Sequence, residues 1–207
     1  MTAMTLELPL DLSSLAAPIF LRPAVALTDE ELIRFSEVNR PYRFERNKHG
    51  EIVMMSPVGG IGATQEAYVA SSLYRWNEEV ATGVVFMANA GFNLPDGSCL
   101  SPDAAWLSLA RWNSLTPAEQ AGFPPFFPEF LIEVRSRSDS RRMVEEKMQL
   151  WLENGAQLAW LVDPIDVNVT IYRPGEAERT LERPALIEAV APVAGFALKT
   201  ERLWPAR

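Results

Sequence analysis

The sequence predicts an α/β protein with a central mixed β-sheet flanked by α-helices. Two long amphipathic helical segments, over 64–79 and 141–154, alternate with short apolar runs typical of buried strands. Apolar residues make up 48% of the chain and charged residues 22%, which is ordinary for a globular protein. A length of 207 residues favours one domain over two. We expect an N-terminal arm over 1–26 and a single domain over 27–207.

Local signals define the elements of the first half of the chain. Thr28 followed by Glu31 has the form of a capping box and predicts a helix start. This helix is expected to end before Pro41, and hairpin strands over 42–46 and 51–55 and a loop over 56–60 follow it. The next predicted element is a helix over 64–79 that Gly83 ends. After it we expect a strand over 84–88, a Pro-Asp-Gly turn within 93–97, and a strand over 100–107 that opens with Ser101-Pro102-Asp103.

The second half shows the same kinds of signal. Gly155 follows the strongest helical pattern of the chain and is expected to close that helix. The predicted elements are short helical turns over 110–120, a loop over 122–128, an apolar strand over 130–135, a helix over 141–154, strands over 158–162 and 167–172 separated by a turn at Asp163-Pro164, and short strands and turns from Thr180 onward.

The chain has one cysteine and one histidine, and this excludes several kinds of catalytic site. Cys99 cannot form an internal disulfide, which fits a reducing compartment. Cys–His zinc sites, HExxH sites and any catalytic pair that needs a histidine other than His49 are excluded. His49 itself lies in a predicted hairpin turn, where a solvated turn residue is favoured over a catalytic one. Catalysis must therefore use carboxylates, lysines, hydroxyls or a hard metal ion.

The charge distribution bears on partners and location. With 19 basic and 27 acidic residues the net charge is -8, which argues against a broadly basic surface for nonspecific nucleic-acid binding but permits a small basic patch. No segment approaches the run of about 18 apolar residues that a membrane span needs. The first twenty residues contain Glu7 and Asp11 and lack a basic start, so they do not form a secretory signal. We therefore expect a cytoplasmic protein without a membrane span.

Two carboxylates occupy positions where apolar residues are expected. Glu133 lies in the apolar strand pattern over 130–135, where a carboxylate is costly unless it is paired, hydrogen-bonded or bound to metal. Asp103 opens the apolar run that follows Pro102, and on its own it is better explained as a turn residue. Asp163-Pro164 is better explained as a strand-ending turn than as a ligand.

Lys147 is the third unexpected polar residue. At about 100° per residue, it falls inside the apolar arc of its helix, between Leu150 and Trp151. A lysine there can extend its head to solvent while its stem covers the core. Alternatively, its ammonium points inward at a negative group such as Glu133 or a bound phosphate.

Two carboxylates and an inward lysine are a combination suited to phosphodiester hydrolysis. Hard oxygen ligands suit Mg²⁺ or Mn²⁺. Such an ion can activate a bound water and neutralise a phosphate oxygen, and a nearby lysine can stabilise the developing charge. Segment 133–147 has a local balance of +1 (5 basic minus 4 acidic residues), for which a phosphate-facing patch and a solvated helix start are both open explanations.

At these residues the sequence resembles the Uma-type putative restriction endonucleases of the PD-(D/E)XK nuclease superfamily, over about 27–204. The resemblance is carried by motifs that occur together and in order: Met55-Ser56-Pro57, Ser101-Pro102-Asp103, Glu133-Val134-Arg135, Glu146-Lys147, Asn154-Gly155 and Trp160-Leu161-Val162-Asp163-Pro164. It implies a restriction-endonuclease-like fold and a DNA substrate. It also implies a homodimer, which six tryptophans and ten phenylalanines make plausible.

The resemblance also implies roles for single residues. Asp103 would match the Asp of the first motif and Glu133 the acid of the second, and both would bind Mg²⁺ or Mn²⁺. The usual superfamily lysine stands two residues after that acid, where this chain has Arg135, and Lys147 on the following helix would substitute for it. An acid from the first long helix sometimes joins such sites. Glu66 is the local candidate, with Gln65 an equally plausible polar neighbour.

Three functions follow as hypotheses. The first is a metal-dependent nuclease that acts on DNA through Asp103, Glu133 and Lys147. The second is a catalytically silent, dimeric interaction protein that keeps the nuclease fold, and the acidic charge of the chain favours it. The third is a hydrolase for a smaller phosphoester substrate.

Overall fold

The computed structural model of the protein describes residues 19–40, 42–55 and 58–205. Residues 1–18 of the predicted N-terminal arm, and Ser56 and Pro57 of the predicted loop, lie outside the described residues. The helices are α1 (Asp29–Val38), α2 (Gly60–Val80), α3 (Leu109–Trp112), α4 (Pro117–Ala121) and α5 (Arg141–Glu153), with a 3-10 turn at Glu201–Leu203. In this part of the chain, none of the helices has the length and apolar character that crossing a membrane requires.

The strands assemble, within the described residues, into a five-stranded, a six-stranded and a two-stranded sheet. The strands are β1 (Ile19–Leu21), β2 (Arg43–Arg46), β3 (Ile52–Met55), β4 (Gly83–Met87), β5 (Phe92–Asn93), β6 (Cys99–Leu100), β7 (Ala104–Ser108), β8 (Phe130–Val134), β9 (Leu158–Asp163), β10 (Asn168–Tyr172), β11 (Arg179–Glu182), β12 (Leu186–Glu188) and β13 (Ala197–Lys199).

The six-stranded sheet, in the order β11-β10-β9-β8-β7-β4, is the mixed central sheet that the sequence predicts. Strands β8 and β9 run parallel, and the other neighbours are antiparallel. Because side chains alternate across a strand, β8 sends Phe130 and Ile132 to the core under α2 and Leu131 to the core under α5. Glu133 has the parity of Leu131 and therefore faces the α5 side.

The five-stranded sheet, in the order β1-β3-β2-β6-β5, has a small core of its own. Phe44, Ile52 and Met54 pack with Leu32 of α1 on one of its faces. The alternation along β2 places Arg43 and Glu45 on the other face. This sheet is antiparallel throughout, and it supplies polar side chains to the region beside β7 and β8.

Most predicted elements are confirmed, including the capping box, in which Thr28 Oγ1 accepts the Glu31 N–H at 3.2 Å. The predicted strand over 100–107 is wrong as a single strand: β6 and β7 belong to different sheets. The chain changes sheets at Ser101-Pro102-Asp103, where Pro102 has no N–H for a ladder and the Ser101 N–H donates to the Glu45 carboxylate at 2.9 Å.

The predicted bounds of the first long helix also need correction. Helix α2 begins at Gly60 and ends at Val80, and Ala81 rather than Gly83 is its left-handed cap residue, with a φ of 49°. Gly83 instead begins β4, because the Asn77 side chain binds both its N–H at 3.1 Å and its carbonyl at 2.9 Å. At α5 the expectation holds, since Gly155 follows the helix with a φ of 113°.

Candidate active site

Asp103, Glu133 and Lys147 lie together on the α5 side of the six-stranded sheet. Asp103 directly precedes β7 and Glu133 lies on β8, and the register pairs Ala104 with Ile132, so the two acids stand at the next position of the ladder. Both are buried, with 6% and 5% exposed. Lys147 on α5 has its Nζ 2.9 Å from Glu133 Oε1. The structure thus brings together the three residues that the sequence singled out.

The Lys147 ammonium points inward rather than to solvent, as the helical periodicity allowed. Its Nζ donates to Glu45 Oε1 at 2.9 Å and to the Ser101 carbonyl at 3.0 Å. Only 19% of its side chain is exposed. On the other side of Glu133, the Trp151 Nε1–H donates to the same Oε1 atom at 3.0 Å. Helix α5 therefore fixes the Glu133 carboxylate from two of its turns.

Sequence reasoning missed two residues of this cluster, Arg43 and Glu45, which share one face of β2. Glu45 is 5% exposed. Arg43 has its Nη1 3.5 Å from Asp103 Oδ1 and its Nη2 4.0 Å from Glu66 Oε1. The period-2 alternation of Arg43 and Glu45 against Phe44 was a signal that one face of this strand is polar. Nothing local indicated that this face is covered.

The additional candidates separate into one residue in the site and two outside it. Glu66 of α2 lines the same cavity as Asp103. Gln65 turns away, and its Nε2 donates to the Leu203 carbonyl at 2.7 Å. Arg135 is also directed elsewhere, with its Nη1 2.7 Å from Asp163 Oδ2. Glu66 shares the stripe of α2 that contains Val69, Ala70, Leu73 and Asn77, all buried, and this periodicity would have separated it from Gln65.

Burial raises the pKa of three carboxyl groups in the cluster, those of Asp103, Glu133 and Glu66. It raises the pKa of Asp103, although Lys147 and Arg43 act in the opposite direction. It raises the pKa of Glu133 to about 7, again against the effect of Lys147. Glu66 also reaches a pKa of about 7, through burial and the nearby charge of Asp103. The positive charges near these three carboxyl groups are thus too few to cancel the effect of burial on their pKa.

A charge count leads to the same conclusion. When ionised, the six carboxylates and two cations that line the cavity give a net charge of -4 (2 minus 6). The carboxylates are Glu45, Glu66, Asp103, Glu133, Asp139 and Glu146, and the cations are Arg43 and Lys147. They line a cavity of about 280 Å³ between the two large sheets and α5. A divalent cation is the ligand that would reduce this excess.

Asp103 and Glu133 are suitable oxygen donors for such an ion. Across 19–40, 42–55 and 58–205, no three His, Cys, Asp or Glu side chains gather closely enough to form a metal site by themselves. Mg²⁺ is commonly bound through one or two carboxylates, with waters and substrate phosphate oxygens as its other ligands. The donor set therefore fits Mg²⁺ or Mn²⁺ held jointly with water and substrate.

Most basic side chains of segment 133–147 are paired within the protein. Arg135 and Arg141 both bind Asp163 and Asp166, and Arg142 binds Glu146 at 2.8 Å. This pairing reduces the free positive charge and disfavours a phosphate-facing patch. Asp163 is the predicted strand-ending turn residue, since its Oδ1 accepts the backbone N–H groups of the two residues after Pro164 at 3.0 Å.

Comparisons with known proteins agree with this architecture. The family model described as "Uma2: Putative restriction endonuclease" matches residues 29–201. Among solved structures, the chain is similar to a crystal structure of a putative nuclease belonging to DUF820 from Anabaena variabilis ATCC 29413, with 21% identity and a TM-score of 0.70, over 86% of this chain and 97% of that one. This likeness confirms the predicted fold class. No curated protein matches the chain.

Proposed function

The chain belongs to the Uma2 family of putative restriction endonucleases, and from this premise we propose that it is a metal-dependent endonuclease that hydrolyses phosphodiester bonds in DNA. The observation that carries the proposal is the buried cluster of Asp103, Glu133 and Lys147, in a cavity whose excess negative charge a divalent ion would reduce. Three carboxyl groups with raised pKa values in one cavity are typical of a functional site rather than of a structural core.

The reaction assigns a separate task to each residue. The oxygen of a water adds to phosphorus, the bond from phosphorus to the leaving oxygen breaks, and that oxygen takes up a proton, leaving a phosphomonoester and a hydroxyl. Bound Mg²⁺ or Mn²⁺ would acidify the water and neutralise a phosphate oxygen. Asp103 and Glu133 would hold the ion, and Glu66 is a further carboxylate that lines the cavity.

Lys147 serves in this proposal as a fixed positive charge. Burial lowers the pKa of Lys147, but the carboxylates of Glu133 and Glu45 raise it more, so the net pKa lies above the ordinary value. The side chain therefore keeps its proton at neutral pH and cannot accept one from water. Its charge can instead stabilise the negative charge that develops on the phosphate oxygens.

The test is cleavage of plasmid and oligonucleotide DNA with Mg²⁺ or Mn²⁺. Wild type is compared with Glu133→Ala and Lys147→Ala, each expected to lose activity by at least about 100-fold. Glu153→Ala, an exposed acid on the same helix, and Lys199→Ala, an exposed lysine on β13, are the matched controls. Activity that survives in both Glu133→Ala and Lys147→Ala, or is absent from wild type on every substrate, contradicts the proposal.

A catalytically silent interaction protein with the nuclease fold is the second candidate. One observation favours it: Lys147 already binds Glu45 and Glu133, so part of the cluster is neutralised inside the protein. Metal binding distinguishes the two candidates. Isothermal titration with Mn²⁺ should give binding that Glu133→Ala abolishes if the protein is a nuclease, and no binding if the cluster is structural.

A further inference from the structure

The cavity that holds the carboxylates also has apolar walls, which the hydrolysis itself does not need. One wall comes from the five-stranded sheet, with Phe20 on β1 and Met55 on β3. Another comes from α5, with Met143 and Leu150. Phe20 is 50% exposed and Met143 is 39% exposed, so both offer free apolar surface at the rim. A ligand that reaches the carboxylates must therefore pass apolar surface.

The charges around the cavity are unfavourable for a regular duplex. Proteins that grip duplex DNA place several Lys and Arg side chains on its phosphates. Here Arg43 and Lys147 both form ion pairs with carboxylates, and Arg135 and Arg141 are paired with Asp163. The whole chain carries a net charge of -8. Binding must depend on apolar and stacking contacts more than on phosphate contacts.

The burial of the two acids also disfavours a regular duplex as the substrate. Asp103 and Glu133 are 6% and 5% exposed, so a phosphate has to enter the cavity to reach them. A paired strand keeps its phosphates on the outside of a wide duplex, whereas an unpaired nucleotide can leave the helix and enter a pocket. A volume of about 280 Å³ lies near the lower end of ligand pockets and suits a single nucleotide.

We infer that the substrate presents an unpaired nucleotide, as single-stranded DNA or as a flap on a duplex. Its base packs against Phe20 and Met143, and its phosphate lies beside the ion that Asp103 and Glu133 would hold. This inference rests on the proposed nuclease function and specifies its substrate. Base stacking suits such a site because it tolerates any sequence and needs little positive charge.

A binding experiment tests the inference without catalysis. Fluorescence anisotropy is measured for one labelled oligonucleotide, single-stranded or annealed into a blunt duplex, with Ca²⁺ in place of Mg²⁺. The single strand should bind at least about 10-fold more tightly, and Phe20→Ala and Met143→Ala should each weaken its binding about 10-fold. Tyr74→Ala, which removes an exposed aromatic ring of α2, is the control and should bind as wild type does. Thermal unfolding of each variant verifies folding.

Cleavage of matched substrates separates this inference from the proposal on which it rests. With Mn²⁺, the single strand and the flap should be cut at least about 10-fold faster than the blunt duplex. Equal cleavage of the duplex overturns the inference and leaves the nuclease function intact. Cleavage of bis(p-nitrophenyl) phosphate alone, without oligonucleotide binding, overturns it in favour of a small phosphodiester. Failure to cut any of these substrates refutes the nuclease function itself.

Discussion

The ammonium of Lys147 donates to Glu45 Oε1 at 2.9 Å, although the two residues are 102 positions apart in the chain. The same Glu45 oxygen accepts the Ser101 N–H at 2.9 Å. One carboxylate oxygen therefore connects β2, α5 and the segment that leads into Asp103. Because Lys147 also lies 2.9 Å from Glu133, Glu45 holds the ammonium beside the carboxylate that we propose as a metal ligand.

We predict that Glu45→Gln lowers kcat by about 10- to 100-fold while KM stays close to the wild-type value. The Gln oxygen can still accept the Ser101 N–H, but it no longer attracts the Lys147 ammonium by charge. Steady-state kinetics on the best DNA substrate measure both constants. A positioning role predicts this loss with little change in the free energy of unfolding. A large loss of stability at unchanged kcat would show that Glu45 is only structural.

The Lys147–Glu133 pair should appear as strong coupling in a double-mutant cycle. Lys147→Met leaves buried carboxylates without their cation and should lower the free energy of unfolding by about 3 to 5 kcal/mol. Adding Glu133→Gln should recover about 1 to 3 kcal/mol, because one uncompensated charge is then removed. Urea unfolding followed by circular dichroism at pH 8 with EDTA measures these values. Lys199→Met is the control, and additive effects would contradict the coupling.

Glu66 should destabilise the metal-free protein at high pH. Its pKa is about 7 in the folded protein against an ordinary value of 4.5, so the folded state holds this proton more tightly than the unfolded state does. The free energy of unfolding must therefore fall as pH rises from 4.5 to about 7. Glu66→Gln lacks this loss and should be more stable by about 1 to 2 kcal/mol at pH 8, with no difference at pH 4.

Urea unfolding of wild type and Glu66→Gln with EDTA, at a series of pH values, measures this difference. Glu153→Gln, on the exposed face of α5, serves as the matched control. If the free energies of unfolding of Glu66→Gln and wild type differ by the same amount at pH 4 and pH 8, proton binding by Glu66 is not the cause of the difference.

Gly83 should not tolerate a side chain. A Cβ at this position would lie 2.5 Å from the Leu107 carbonyl oxygen and would contact the Trp106 indole. Gly83→Ala should therefore lower the free energy of unfolding by about 3 kcal/mol. Gly62→Ala in α2, whose Cβ would make an ordinary 3.6 Å contact with Val58, should raise it by about 0.5 to 1 kcal/mol. Thermal unfolding of both variants checks the contrast, and equal effects would contradict it.

Local patterns were sufficient to predict most elements. Thr28 and Glu31 satisfy each other's backbone groups, so the start of α1 depends on four consecutive residues. The place of Lys147 on the apolar arc of α5 follows from helical periodicity, which left the direction of its ammonium open. Glu133 was conspicuous for a similar reason, as a carboxylate in an apolar strand.

Predictions failed where distant contacts override local pattern. The run over 100–107 looks continuous, yet Glu45 takes the Ser101 N–H and Asp103 takes the Val134 N–H, so the chain passes from one sheet to another. Gly83 looked like a helix end, but the Asn77 side chain binds it at the start of β4. In each case a side chain from elsewhere satisfies a backbone group that local rules assign differently.

By itself, then, the sequence determined the fold class, the α5 face that carries Lys147, and the unusual acids Asp103 and Glu133. Only the tertiary structure decided that Arg43 and Glu45 complete the cluster. The physical reason is that secondary-structure periodicity depends on neighbours in the chain, whereas the environment of a charged side chain depends on which elements pack against it. Burial between two sheets turns ordinary surface charges on β2 into parts of a site.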